Sequence, residues 1–205
     1  EEFNTGVAVG AWSTGGDLNT ARKYMAGAGT QTAALGFGGA SPVPSLALTE
    51  SYNGTSWTEV NDLNTARYAM GGAGTQTAAL GFGGYIPGSL ALTEIWNGTN
   101  WTEVNDLNAA RRYLAGAGAT NTAALAFGGT PTTAATETWN GTNWTEVNDL
   151  NTARQSLAGT GTNTAALAFG GNTGPGAVTE TWNGTNWTEV GDLNTARSYL
   201  AGAGT

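Results

Sequence analysis

Trp57-Thr-Glu-Val-Asn-Asp-Leu-Asn-Thr-Ala-Arg67 decides the fold, because the stretch returns from Trp144 and, with small changes, from Trp12, Trp101 and Trp187. The five tryptophans that open this motif are 45, 44, 43 and 43 residues apart. A fixed period of that size marks propellers, solenoids and repeat arrays, in which one unit cannot bury its apolar face alone.

Outward from Trp101, one unit runs through Trp-Thr-Glu-Val, Leu107 to Arg111, an Ala/Gly stretch, Thr122 to Gly129 and Ala134 to Gly141. No segment carries a helical apolar stripe. Four short runs of Thr, Val, Leu, Phe, Trp and Ala, separated by turn signals, predict four β-strands, and four strands per period make one propeller blade. Ala115-Gly116-Ala117-Gly118 has almost no side-chain volume, which suits an innermost strand where blades converge. Ala123 to Phe127 is an unbroken apolar run, as expected of a strand covered on both faces, and Gly128-Gly129 permits a sharp turn after it. In the third strand Leu92, Glu94 and Trp96 alternate with Thr93 and Ile95, so a carboxylate shares a face with large apolar groups. A buried carboxylate needs a partner. The repeat supplies one, since Arg22, Arg67, Arg111, Arg154 and Arg197 match Glu1, Glu50, Glu94, Glu137 and Glu180 in number. Five structural Arg/Glu pairs, within or between blades, are predicted.

Gly38-Gly39, Gly83-Gly84, Gly128-Gly129 and Gly170-Gly171 each follow an apolar strand; a Glu-x-aromatic-Asn element comes next, then a Trp after a short hairpin. In these features the chain resembles the kelch repeat over nearly its whole length. It departs in a shorter link between the first two strands and in Trp96, Trp139 and Trp182, where kelch units usually carry Tyr, as Tyr52 does here. A WD40 reading fits worse, because the chain has no Trp-Asp pair and no His. The Asn-Gly-Thr-rich units are also similar to kelch-like repeats in tail-fibre and other structural proteins of marine phages. The resemblance implies an all-β, kelch-like β-propeller that works among other proteins of an assembly, in a virion or outside the cell.

Five copies of both signatures predict five blades of about four antiparallel strands in a single domain over residues 1–205. Four blades lie between about Lys23 and Asp192. The last is shared by the two termini, with Ser198 to Thr205 as its inner strand and Glu1 to Asn4 and Gly10 to Leu18 as outer ones. Closing a ring in this way removes exposed strand edges. The shared blade lacks its own Thr-Ala-Ala-Leu-Ala-Phe-Gly-Gly strand, so it has three strands or is completed from elsewhere, and a start at Glu1 without Met suggests processing or a fragment.

Fifteen acidic against seven basic residues give a net charge of −8. With no basic cluster beyond Arg22-Lys23 and Arg111-Arg112, nucleic acid is not an expected partner, since it is bound through cationic contacts to phosphate. No apolar run reaches membrane-spanning length, and neither end resembles a signal peptide. The chain has no Cys and no His, which excludes a thiol nucleophile, a His base, disulfides and Cys/His metal sites. The copper-radical oxidase chemistry built on some kelch propellers needs His ligands and is excluded with them. No cofactor is expected.

Asn-Gly at 53, 97, 140 and 183 forms an Asn-Gly-Thr sequon, but Asn-Gly between strands is first a two-residue type I′ hairpin signal. The tryptophans could stack on sugars; recurrence at fixed blade positions favours core packing instead. Asp17, Asp62, Asp106, Asp149 and Asp192 read as turn formers in Asp-Leu-Asn. A glycosidase pair needs two carboxylates in different environments, and near-identical blades repeat one environment, so no enzyme activity is expected. The units differ most in the loops Ala40 to Ala47, Tyr85 to Ala91, Thr130 to Ala134 and Asn172 to Ala177. Loops on one face of a repeat protein often bind partners, which makes Pro42, Pro44, Tyr85, Ile86, Pro87, Pro131, Asn172 and Pro175 the candidate contact residues. The expected role is a non-enzymatic structural or interaction module of a phage-like particle, fibre or extracellular appendage. The alternative is a lectin with glycan sites repeated around the ring.

Overall fold

The computed structural model describes residues 15–42, 44–172 and 176–204. In chain order these form β1 (Ala26–Thr30), β2 (Ala33–Phe37), β3 (Thr49–Tyr52) and β4 (Trp57–Val60); β5 (Gly71–Thr75) and β6 (Ala78–Phe82); the short β7 (Tyr85–Ile86) and β8 (Gly88–Ser89); then β9 (Thr93–Trp96) and β10 (Trp101–Val104). They continue with β11 (Ala115–Thr120), β12 (Ala123–Phe127), β13 (Thr136–Trp139), β14 (Trp144–Val147), β15 (Ala158–Gly161), β16 (Ala166–Phe169), β17 (Thr179–Trp182) and β18 (Trp187–Val190). The described residues are all-β: four four-stranded antiparallel meanders, with β7 and β8 pairing as a ribbon inserted in the second. Such a repetition of four-stranded sheets is β-propeller-like.

Five blades are expected from the repeats, and the described residues make four such sheets. The fifth unit contributes Gly191 to Gly204 without a strand. Its remaining parts, Glu1 to Asn4 and most of Gly10 to Leu18, fall outside the described residues.

The core lies between sheets, not within them. Leu35 and Phe37 of the first sheet cluster with Trp96 and Trp101 of the second, Leu80 and Phe82 with Trp139 and Trp144 of the third, and Leu125 and Phe127 with Trp182 and Trp187 of the fourth. Each junction is aligned by a hydrogen bond: the indole N–H groups of Trp101, Trp144 and Trp187 donate to the hydroxyls of Thr49, Thr93 and Thr136 in the preceding sheet, at 3.0, 3.0 and 3.1 Å. The core reading of these tryptophans therefore holds. Because β9 lies between two neighbouring sheets and is covered on both sides, Thr93 and Glu94 are both buried, and the expected one-sided alternation fails; Leu92 lies outside β9.

Four of the five Arg/Glu pairs are present. Arg22 meets Glu50 at 3.1 Å, Arg111 meets Glu137 at 2.6 Å and Arg154 meets Glu180 at 2.9 Å, and Arg67 pairs with Glu94. Each Arg sits in the segment leading into the sheet that carries its Glu, so the pair clamps the connection onto the third strand. The asparagine of the same segment adds to it: Asn108 donates its backbone and side-chain N–H groups to Glu137 Oε2 at 2.8 and 2.7 Å. Burial lowers the Arg22, Arg111 and Arg154 pKa values, against the opposing pull of the paired carboxylates. Of the two residues left over from the predicted sets, Arg197 is exposed and Glu1 lies outside the described residues.

The aspartates also have a defined task. Asp62, Asp106, Asp149 and Asp192 accept from the first amide of each third strand at 3.0 to 3.2 Å. The Asn-Gly hairpins differ from the type I′ expectation. Tyr52 pairs with Trp57, which leaves a four-residue loop. Only Gly54 takes a positive φ, 93°, while Asn53 Oδ1 accepts from the amides of Thr55 and Ser56. The Asn side chain, not its backbone, makes this turn.

Candidate functional site

Antiparallel meanders sort the connections onto two ends of each sheet. One end carries the turns between first and second strands and the Asn-Gly-Thr hairpins, which are nearly the same in every unit. The other carries the second-to-third-strand loops and the segments that join one sheet to the next. These two sets are tied together. Lys23 exchanges backbone hydrogen bonds with Ala40, Tyr68 with Tyr85 and Arg112 with Thr130, and Asn172 N–H donates to the Gln155 carbonyl. All four predicted loops therefore share one face.

The residue after each repeat arginine is Lys23, Tyr68, Arg112, Gln155 or Ser198, five different types within an otherwise near-constant motif. The next residues, Tyr24, Ala69, Tyr113, Ser156 and Tyr199, all take φ values of 53 to 57°. That left-handed region is costly for a residue with a Cβ. It is held here by a relay of backbone bonds: Ala69 N–H donates to Tyr24 O, Tyr113 to Ala69, Ser156 to Tyr113 and Tyr199 to Ser156, at 2.8 to 2.9 Å. The relay turns the side chains of successive units toward one another. Tyr24, Tyr113 and Tyr199 meet with ring centroids 5.7 to 6.0 Å apart. Below them a narrow channel is lined by the inner segments Gly27–Gly29, Gly72–Gly74, Gly116–Gly118, Gly159–Gly161 and Gly202–Gly204.

A cavity of about 420 Å³ opens beside these rings, bordered by Lys23, Tyr24, Tyr113, Ser156 and Tyr199. Tyr24 is 40% and Tyr199 57% exposed, the most exposed large hydrophobic side chains among the described residues, with Val190 next at 39%. Ser156 is buried, and its hydroxyl has no hydrogen-bond partner. Lys23 Nζ lies 5.4 Å from the Tyr24 ring centre, and the Arg112 guanidinium lies 4.7 Å from Tyr85 and 5.9 Å from Tyr113, distances at which cation–π attraction operates. Of the seven basic residues, five are the repeat arginines; the other two, Lys23 and Arg112, are both here. Burial raises the Tyr113 phenol pKa, helped by the neighbouring tyrosines and opposed by Arg112.

The predicted contact residues divide. Pro42, Pro44, Pro87, Pro131 and Asn172 are exposed on this face, and Pro175 lies outside the described residues. Tyr85 and Ile86 are half-buried, because Tyr85 is packed between Arg112 and Tyr68, whose ring centre is 5.3 Å away. Sequence reasoning missed Tyr24, Tyr113, Tyr199, Lys23 and Arg112. The signal was available in the two positions after each repeat arginine, where the units diverge most sharply outside the loops.

The face brings together flat rings, two cations and a hydroxyl without a hydrogen-bond partner. The buried carboxylates are committed to Arg and Asn elsewhere, and no group of three or more Asp or Glu able to hold a metal occurs among the described residues. No protein-family model matches the chain, and no curated protein matches it in sequence.

Proposed function

We propose that this chain is a non-enzymatic interaction module that holds a partner on its loop face. One observation carries the reading: the residues that differ between units gather on that face, while the opposite face repeats the same hairpin. A purely architectural repeat has no reason to confine its variation to one face. The fold that accompanies this reading is a closed ring of five kelch-like units, supported by the approach of Tyr24 to Tyr199. Its setting, through the resemblance to phage structural repeats, is a virion, fibre or extracellular appendage, with other assembly proteins as partners.

A carbohydrate ligand is the second reading, favoured by the exposed tyrosine rings beside the Ser156 hydroxyl. It differs from a ring of equivalent lectin sites in having one centre. Photo-crosslinking from benzoylphenylalanine at position 199, and separately at Thr142 on the hairpin face, tests the proposal in extracts of the native source. A defined adduct from 199 alone is expected. Adducts from 142 alone would sink it, and glycan-array binding lost in a Tyr24→Ser, Tyr113→Ser, Tyr199→Ser variant would identify the ligand as carbohydrate.

A further inference from the structure

Five of the six tyrosines stand together on the loop face. Tyr24 is the hub, with the ring centres of Tyr68, Tyr113 and Tyr199 at 6.0, 5.8 and 6.0 Å. The backbone relay explains the grouping. Its successive places hold Tyr24, Ala69, Tyr113, Ser156 and Tyr199, so a small residue stands between consecutive tyrosines and leaves room for their rings to meet. The shared left-handed φ fixes the direction from which each ring starts. Tyr52, the sixth tyrosine, packs on Trp57 at 5.0 Å and touches no other tyrosine among the described residues.

The contacts within the group are not equivalent. Tyr24–Tyr113, Tyr113–Tyr199 and Tyr68–Tyr85 meet edge to face, at 79, 87 and 61°, which aims the rim of one ring at the face of the other. Tyr24 and Tyr199 are tilted at 53° and are both exposed; Tyr68, the other tilted neighbour of Tyr24, is half-buried. Competing reductants are scarce. The chain has no Cys and no His, and the six tryptophans of the second, third and fourth sheets are at most 5% exposed.

We propose that Tyr24 and Tyr199 form an oxidative cross-linking site, joined as dityrosine by hydrogen peroxide acting through a one-electron oxidant of the haem-peroxidase class. Each phenol gives up one electron and its hydroxyl proton, and the two phenoxyl radicals form a single carbon–carbon bond between their ortho carbons. The ortho hydrogen of each ring then moves to its own oxygen and restores the phenol. The two electrons and two protons released reduce one peroxide to two waters. Because the rings already touch, coupling is unimolecular and outruns encounter between molecules. The product ties the first unit to the fifth across 175 residues of chain, a covalent closure that a protein without cysteine cannot obtain from a disulfide. The inference rests on the Tyr24–Tyr199 contact and not on what the loop face binds.

The test treats the intact chain with a haem peroxidase and limiting hydrogen peroxide, then reads dityrosine fluorescence, intact mass and tryptic fragments. A monomer lighter by two hydrogens is expected, formed at a rate per molecule that does not depend on protein concentration. Trypsin should release fragment 24–67 bonded to fragment 198–205, and fragmentation should place the bond on Tyr24 rather than Tyr52. Tyr199→Phe keeps the ring and should abolish the product, while Tyr52→Phe and Tyr85→Phe should leave it unchanged. By constraining the unfolded chain as a disulfide does, the bond should raise the melting temperature by roughly 10 °C. A bond on any other pair of tyrosines, a majority of cross-linked dimers, or no dityrosine in a mixture that couples N-acetyltyrosine would overturn the proposal. If a Tyr24→Cys, Tyr199→Cys variant cross-links within one molecule while the native pair does not couple, the contact stands and the oxidative site alone is lost.

Discussion

The rings of Tyr24 and Tyr199 lie with centroids 6.0 Å apart, although 175 residues separate them in the chain. Four four-stranded sheets lie between the two residues in the chain. With no native cysteine, a Tyr24→Cys, Tyr199→Cys variant treated with a short bis-maleimide should cross-link within one molecule at a rate independent of concentration. Dimers that grow with concentration would contradict the contact.

Arg111→Met removes the cation beside the buried Glu137 carboxylate, together with the guanidinium bonds to the carbonyls of Gly128 and Ala135. Leaving a buried charge without its partner costs about 3–5 kcal/mol. Chemical denaturation should register a loss of that order, and adding Glu137→Leu should recover part of it. Unchanged stability in both Arg111→Met and Glu137→Gln would remove the pair's structural role.

Gly116 and Gly27 occupy equivalent inner-strand positions with unequal surroundings. A methyl group at 116 meets the Phe82 ring and the Gly72 carbonyl at 2.6 and 2.7 Å, while one at 27 has room. Gly116→Ala should destabilise by about 1–3 kcal/mol through overpacking; Gly27→Ala should be close to neutral. Equal effects in thermal melts would mean that the first sheet's outer face is already covered.

Thr136 is fully buried and accepts the Trp187 indole N–H at 3.1 Å. Thr136→Val keeps the shape and orphans that donor, at a cost of about 1–3 kcal/mol. Thermal unfolding of the variant beside Thr138→Val, on the half-buried alternate position of the same strand, measures the difference.

Tyr113 has a raised pKa because burial disfavours the phenolate. The folded state therefore holds this proton more tightly than the unfolded state. The resulting stability is complete below the unfolded value of about 10 and is lost as pH rises through the folded one. Phenolate absorbance should show Tyr113 ionising after ordinary tyrosines, and Tyr113→Phe should flatten the alkaline fall in stability. Early ionisation of Tyr113 would refute the burial argument.

That the repeat arginines pair with the third-strand glutamates was legible in sequence, because both recur in the units and a constant need for charge compensation showed through repetition; that Arg111 takes Glu137 and not Glu94 was decided only by the tertiary structure. The Asn53-Gly54 hairpin was misread for a physical reason: the same dipeptide serves a two-residue turn through its backbone or a four-residue loop through the Asn side chain, and only the Tyr52–Trp57 pairing selects between them. Tyr24 escaped notice because no single unit contains its neighbours.

Sequence alone determined the period, the four strands of each described sheet and the Arg/Glu clamp, because these arise from interactions within one repeat or its lead-in segment; the small inner strand was legible because the crowding between sheets removes side-chain volume from every copy. Tertiary structure decided which positions share a face and which side chains meet at its centre. Tyr24, Tyr113 and Tyr199 stand in different units, and what brings them together is the packing of Phe37, Phe82 and Phe127 against the next sheet's tryptophans. That packing sets the angle between sheets, a quantity that no local pattern encodes.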